Sequence, residues 1–221
     1  MTPRVAVVIP TLNAGHTLAA TVATIPWADE IVVVDGGSSD GTVAIATALG
    51  ARVIAAPRGR GTQLAAGVAA ATQAWLLLLH ADTRLGPAAK PAVRNHTTQK
   101  QDSAGYFRFA LDSAEPRARR LERLVAWRCR VFALPYGDQG LLIHRDLLHA
   151  VGGIRPLPLM EDVDLVRRLG RRRLAPLEAS AITSAAKWQR DGWTRRSAGN
   201  LLSLGLWFAG LPPRAIARFY R

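Results

Sequence analysis

Val5-Ala6-Val7-Val8-Ile9-Pro10-Thr11-Leu12-Asn13 opens the regular part of the chain, and Ile31-Val32-Val33-Val34-Asp35-Gly36-Gly37-Ser38-Ser39-Asp40-Gly41-Thr42 repeats its plan. Each is an apolar, largely β-branched run that breaks into a polar turn. A strand with no polar alternation is buried on both faces, which is the condition of a parallel sheet. Between the two, Leu18, Val22 and Ile25 stand at helical spacing and predict a helix that stops before Pro26. The plan continues with a helix over Val43 to Leu49 closed by Gly50, a strand over Val53 to Ala55 and an alanine-rich helix over Thr62 to Ala71. A strand over Trp75 to Leu79 then ends at His80-Ala81-Asp82. Strand and helix in alternation give an α/β fold with a mostly parallel sheet, flanked by helices through right-handed crossovers.

Ligands of open parallel sheets bind beyond the carboxyl ends of the strands. The segments to read are therefore Pro10 to Asn13, Asp35 to Asp40 and His80 to Thr83. After about residue 100 the alternation fades. Gly105 to Leu111 reads as a strand, Glu115 to Phe132 as a long basic helix and Gly140 to His144 as another strand. The expected organisation is one domain over residues 1–193, with a helical appendage over 194–221 packed on it.

The chain has 221 residues, 49% of them hydrophobic, and 29 Lys and Arg against 16 Asp and Glu for a net charge of +13. This composition excludes a disordered chain and is long enough to bury a sizeable core. Cys129 is the only cysteine, so neither an internal disulfide nor a cysteine zinc site is available, and a reducing cytoplasm fits. No secretory signal is visible ahead of Val5. The longest apolar stretch, Leu201 to Leu211, is about half of the ~20 residues that a spanning helix needs. Basic residues concentrate in Arg117 to Arg130, Arg167 to Arg173 and Lys187 to Arg196. Such charge suits nucleic acid, anionic lipid or a phosphate-bearing substrate. Nucleic acid is disfavoured, because aromatics are only 6% and are not interleaved with the basic runs. Gly36 to Thr42 is not a P-loop, since the lysine that such a loop needs is missing, and no Gly-x-Gly-x-x-Gly follows the first strand.

Ile9-Pro10-Thr11-Leu12-Asn13, Val33 to Thr42 and Leu78-Leu79-His80-Ala81-Asp82 stand in order on three strand ends. Together they resemble the nucleotide-sugar half of glycosyltransferase family 2, which has the GT-A fold. The likeness continues through Tyr136-Gly137-Asp138-Gln139-Gly140, Met160-Glu161-Asp162-Val163-Asp164, Thr183-Ser184 and Lys187-Trp188, and it is nearest to compact bacterial members. It implies transfer of a sugar from a nucleoside-diphosphate sugar to an acceptor hydroxyl, with inversion and with Mg²⁺ or Mn²⁺ as cofactor.

The resemblance implies donor binding by Pro10, Thr11, Asn13, Asp35, Gly36, Gly37, Ser38, Arg60, Gln63, His80, Ala81 and Asp82. A strand-end carboxylate such as Asp35 suits a base or a ribose hydroxyl, although an aspartate here also bonds its own turn amides. Asp40 reads as a helix cap. Asp82 is the implied metal ligand, and His80 replaces the first acid of the family's Asp-x-Asp. Asp162 is the implied base that takes the acceptor proton, Glu161 orients the acceptor, and Asp164 points elsewhere. Asp138, Gln139 and Trp188 are implied in acceptor binding, and Lys187 and Arg190 in phosphate binding. The C-terminal segment combines Leu201, Leu202, Leu204, Leu206, Trp207, Phe208, Leu211, Ile216, Phe219 and Tyr220 with Arg195, Arg196, Arg214, Arg218 and Arg221, and Pro212-Pro213 divides it. This pattern is expected to pack on the domain or to dock on anionic lipid, which would admit a lipid-linked acceptor and a peripheral place at the inner face of the membrane.

Overall fold

The computed structural model describes residues 3–219, with the side chains of Lys187, Arg218 and Phe219 outside the description. The alternating half is realised as β1 (Val5–Thr11), α1 (Gly15–Val22), β2 (Glu30–Asp35), α2 (Thr42–Ala48), β3 (Arg52–Ala55), α3 (Arg60–Ala70) and β4 (Trp75–Leu78). The remainder runs β5 (Thr83–Leu85), α4 (Ala89–Gln99), β6 (Ala104–Leu111), α5 (Pro116–Phe132), β7 (Leu141–His144), α6 (Arg145–Ala150), α7 (Glu161–Leu169), β8 (Leu174–Thr183), α8 (Ala186–Asp191), α9 (Trp193–Phe208) and α10 (Pro213–Phe219). The sheet order is β3-β2-β1-β4-β7-β6-β8-β5. β3, β2, β1 and β4 are mutually parallel, and β7 pairs antiparallel with both β4 and β6.

β1 continues through Pro10 to Thr11. The Val8 carbonyl accepts the Leu79 N–H, so Pro10, two positions on, turns its backbone the same way. β4 has already ended at Leu78 there, and the missing proline N–H leaves no strand unbonded. α1 differs from its expected span, ending at Val22 and leaving Ile25 fully buried in the following turn.

Alternate residues of the buried strands serve two cores. Val5, Val7, Ile9, Val33 and Leu77 pack with Leu18 and Val22 of α1, whereas Val8, Val34, Leu76 and Leu78 pack with Leu64 of α3 and Leu165 and Leu169 of α7. α3 lies so close that a Cβ on Gly67 would stand 2.3 Å from Val8 Cγ1 and 2.7 Å from Val34 Cγ2. Gly67→Ala should therefore destabilise the protein by roughly 1–3 kcal/mol despite the better helix propensity of alanine. Denaturant unfolding checks this, and a stabilised variant would contradict the packing.

The C-terminal segment is partly packed. Leu204 joins Leu134, Val163 and Val166 in a small cluster, and Ile216 is fully buried. Leu201, Leu202 and Phe208 stay exposed. Tyr220 and Arg221, and the side chains of Arg218 and Phe219, lie outside the described residues.

Candidate active site

The carboxyl ends of β1, β2 and β4 share one edge of the sheet, as parallel pairing requires. The first two loops are stitched to each other. Ser38 Oγ accepts the Asn13 N–H at 2.8 Å, Asn13 Oδ1 accepts the Ser39 N–H at 2.8 Å, and Asn13 takes a left-handed backbone with φ 52°. Asp40 accepts N–H bonds from Thr42 at the head of α2 and from Gly15 at the head of α1, although the N-cap positions of these helices are Gly41 and Ala14.

Asp35 is hydrogen-bonded within its own loop and to Thr11. Its Oδ2 accepts the N–H groups of Gly37 and Ser38 at 2.9 and 2.8 Å, and its Oδ1 accepts the hydroxyls of Ser38 and Thr11 at 2.5 and 3.1 Å. Its four acceptor places are filled from within the chain. Burial pushes its pKa up, but these bonds from Ser38, Gly37 and Thr11 hold it below the ordinary value. Asp35 thus organises the loop. Gly36, Gly37 and Ser38 belong to that loop and, like Asp35, are not among the residues that line the cleft described next. Gln63 is similarly committed, since its Nε2 donates to the carbonyls of Thr11 and Val34 at 2.8 and 2.7 Å.

Pro10, Thr11, Asn13, Arg60, Gln63, His80, Ala81, Asp82 and Arg190 line an open cleft of about 800 Å³, together with His16, Thr17 and Arg58. The Arg190 guanidinium is paired with Asp191 at 2.7 Å, and the Lys187 side chain lies outside the described residues. The cleft shares Arg60, His80 and Asp82 with a deeper pocket of about 150 Å³, which is also lined by Asp138, Asp162, Thr183, Trp188, Arg196 and Asn200.

Arg60 joins the two spaces electrostatically. From the head of α3 it pairs with Glu161 and lies 3.8 Å from Asp162 Oδ2, both at the head of α7. Glu161 is only 2% exposed; it is an internal partner of Arg60 and borders a small apolar pocket that shares His80 and Asp162 with the deeper one. Burial raises its pKa; Arg60 opposes this and Asp162 adds to it. Asp162 Oδ2 accepts the Gly137 N–H at 2.7 Å and Oδ1 accepts the Val163 N–H at 2.8 Å. Burial acts to raise the Asp162 pKa, but Arg60, these two N–H groups and His80 leave it lowered. Asp164 turns away to Arg155 and Arg168, as expected.

Gly137 permits this crowding. A Cβ there would lie 2.6 Å from His80 Nε2 and 3.2 Å from Asp162 Oδ2, so the imidazole and the carboxylate close on the same backbone point. Next to it, Asp138 has a buried Oδ1 with no hydrogen-bond partner. Burial, with Asp162 and Asp82 as nearby like charges and Arg128 and Arg60 opposing, raises its pKa to about 6.

Gln139 is also bonded internally. It is buried, its Nε2 donates to the Phe107 carbonyl at 3.0 Å, and its Oε1 accepts from Arg128, Cys129 and Tyr136. The oxygen is fully engaged, and one Nε2 hydrogen is left beyond the bond to Phe107. Trp188 does line the deeper pocket, against Phe109 and under the Arg196 guanidinium. Arg196 and Asn200, four residues apart on α9, were missed by sequence reading. Their helical spacing was legible, but nothing in it said which face met the pocket.

A sequence model described as glycosyl transferase family 2 matches residues 6–157. An uncharacterised glycosyltransferase of Mycobacterium tuberculosis, strain H37Rv, is 30% identical over 188 residues, which cover 84% of this chain and 81% of that one. A glycosyltransferase of Mycobacterium bovis matches to the same degree. Among solved structures, glucosyl-3-phosphoglycerate synthase of M. tuberculosis, crystallised with Mn²⁺, uridine diphosphate and glucosyl-3-phosphoglycerate, superposes with a TM-score of 0.56. It is 21% identical, covering 82% of this chain and 70% of that one. A further mycobacterial protein superposes with a TM-score of 0.59 at 23% identity, covering 91% and 74%. At these identities the structural likeness is one of fold, and that fold is GT-A. On the sequence matches, the chain belongs to glycosyltransferase family 2 and is an enzyme of that family.

Proposed function

We propose that this glycosyltransferase moves a sugar from a nucleoside-diphosphate sugar to an acceptor hydroxyl with inversion, assisted by Mg²⁺ or Mn²⁺. The observation that carries the reading is the convergence of Asp82, Asp138 and Asp162, from three separate segments, on one pocket that opens into a larger cleft. The donor fits the cleft, whose size is that of a small-molecule site. Uridine diphosphate sugars are the first donors to test, since the glucosyl-3-phosphoglycerate synthase structure holds that nucleotide.

Among the described residues no group of three or more His, Cys, Asp or Glu could hold a metal alone. That suits Mg²⁺ or Mn²⁺ bound largely through substrate phosphates, because Mg²⁺ needs only one or two protein carboxylates. Asp82 would hold the ion, and the partnerless buried oxygen of Asp138 marks a deficit of positive charge beside it. When bound, the ion neutralises the diphosphate as it departs.

Asp162 takes the acceptor's hydroxyl proton. The acceptor oxygen bonds to the anomeric carbon from the face opposite the nucleotide, and the bond to the diphosphate oxygen breaks with its electron pair leaving on the nucleotide. Arg60 borders both spaces, so a bound diphosphate gives its guanidinium a second anion and weakens its hold on Asp162. A second reading assigns the proton to Asp138, whose raised pKa is nearer to that of an effective general base.

No described helix is long and apolar enough to cross a membrane. The exposed Leu201, Leu202 and Phe208 support an anionic lipid surface as a partner, and with it a lipid-linked acceptor.

Calorimetry with nucleotide sugars tests the donor and the metal together. Binding should be weak without a divalent cation, because the diphosphate then faces Asp82 and Asp138 unscreened. Mn²⁺ should strengthen it, and Asp82→Ala should abolish that gain. An Asp82→Ala variant with the wild-type Mn²⁺ response would show the metal to be misplaced.

A further inference from the structure

α5 was read as a basic helix, but its buried side is narrow, with Ala118, Val125 and Cys129 facing the core. Its opposite side is unusual for a protein surface. Leu124, Trp127, Val131 and Phe132 are 62%, 49%, 40% and 54% exposed, and the Trp127 and Phe132 rings meet edge to face at 5.3 Å. Leu124, Trp127 and Val131 stand at i, i+3 and i+7, so they form one stripe. Arg120, Arg123 and Arg130 are exposed beside that stripe at helical spacing. The single acid of α5, Glu122, is occupied with Arg119 at 2.6 Å and with the Leu111 N–H at 2.8 Å.

Two further observations select an anionic partner with an apolar interior. Arg130 also borders a cavity of about 470 Å³ on the core-facing side of α5, whose wall holds Arg108 and Arg171 and no carboxylate, so no acid there offsets the charge of the outer side. α9 accompanies α5. Trp193 at its start donates to Glu115 just ahead of α5 at 3.1 Å, and Leu204 near its end packs with Leu134 just beyond α5. The exposed Leu201, Leu202 and Phe208 therefore belong to the neighbouring helix.

We propose that the outer side of α5 docks on an anionic lipid bilayer, with Leu124, Trp127 and Val131 entering the headgroup boundary and Arg120, Arg123 and Arg130 meeting lipid phosphates. Arginine stems lie along apolar surface while their guanidinium groups reach outward, so such a mixed face is suited to an interface and poorly suited to water. The main contact is then α5, with α9 secondary. The inference is independent of the donor and base assignments above. It also supplies a reason for an acceptor carried in lipid.

Co-sedimentation with phosphatidylcholine vesicles, with and without phosphatidylglycerol, is the test. Binding should require phosphatidylglycerol and fall as salt rises. Leu124→Ser with Trp127→Ser should weaken it at least tenfold, and Arg123→Gln with Arg130→Gln by about 30-fold, at roughly fivefold for each arginine. Leu201→Ser with Leu202→Ser should weaken it less. Donor binding by calorimetry and the melting curve should stay as in the wild type, which separates this outcome from misfolding and from failure of the transferase reading. The proposal is overturned by absence of binding to phosphatidylglycerol vesicles at low salt, or by α5 variants that bind as wild type. It is equally overturned if duplex DNA competes with the vesicles and loses affinity in the same variants, which would make the face a nucleic-acid site.

Discussion

Asp162→Asn is expected to lower turnover by ~10²–10⁴ while donor affinity stays nearly constant. The amide keeps the size of the carboxylate but cannot take the acceptor's proton. The structure adds a second consequence. The two carboxylate oxygens each accept a backbone N–H, from Gly137 and from Val163, and an asparagine can satisfy only one of them. The other N–H then faces an NH₂ group, and a modest loss of stability of about 1–3 kcal/mol should accompany the loss of turnover. Asp138→Asn is the necessary companion. If it abolishes transfer and Asp162→Asn does not, the proton belongs to Asp138. A product that retains the donor's anomeric configuration would remove the single-base scheme altogether.

Arg60→Ala should destabilise the protein by about 1–3 kcal/mol at neutral pH, since the guanidinium is partly exposed. It strands Glu161, which is 2% exposed, and removes the cation nearest Asp162. The pH dependence has a definite sign. Burial already raises the Glu161 pKa, and Arg60 opposes that rise in both carboxyls, so without Arg60 the folded protein binds protons more tightly than the unfolded chain does. Such a group contributes stability at low pH and loses it as pH rises through the folded pKa. The deficit of Arg60→Ala should accordingly be smaller at pH 5 than at pH 8. Thermal unfolding at both values decides, and a pH-independent deficit would mean that Glu161 and Asp162 do not depend on this guanidinium.

The alternating half of the chain was legible because strands buried on both faces have no choice of composition. Val5 to Ile9, Ile31 to Val34 and Trp75 to Leu79 could be nothing but interior strands, and their polar ends had to lie at one edge. β8 was not legible. Its buried positions Leu177, Ala179, Ala181 and Thr183 do alternate, but small residues with low strand preference and Pro176 hide the period. β5, only Thr83–Leu85, is too short to carry a pattern.

At the candidate site, segments that carry the motifs meet around two connected spaces, and several of their residues are already hydrogen-bonded within the chain. Asp35, Gln63 and Gln139 are polar residues engaged by backbone groups and, at Asp35 and Gln139, by side chains as well, several of them distant in the chain, and local sequence does not count those bonds. The pairing of Arg60 with Glu161, 101 residues apart, and the entry of Arg196 and Asn200 from α9 depend on how distant elements pack. The same holds for the exposed side of α5. Its residues have an ordinary helical pattern, and only the narrowness of the surface it covers leaves Leu124, Trp127 and Val131 in water. Periodicity and turn chemistry are local and survive in the chain as written, whereas the environment of a charge or an apolar stripe is set by what lies against it in three dimensions.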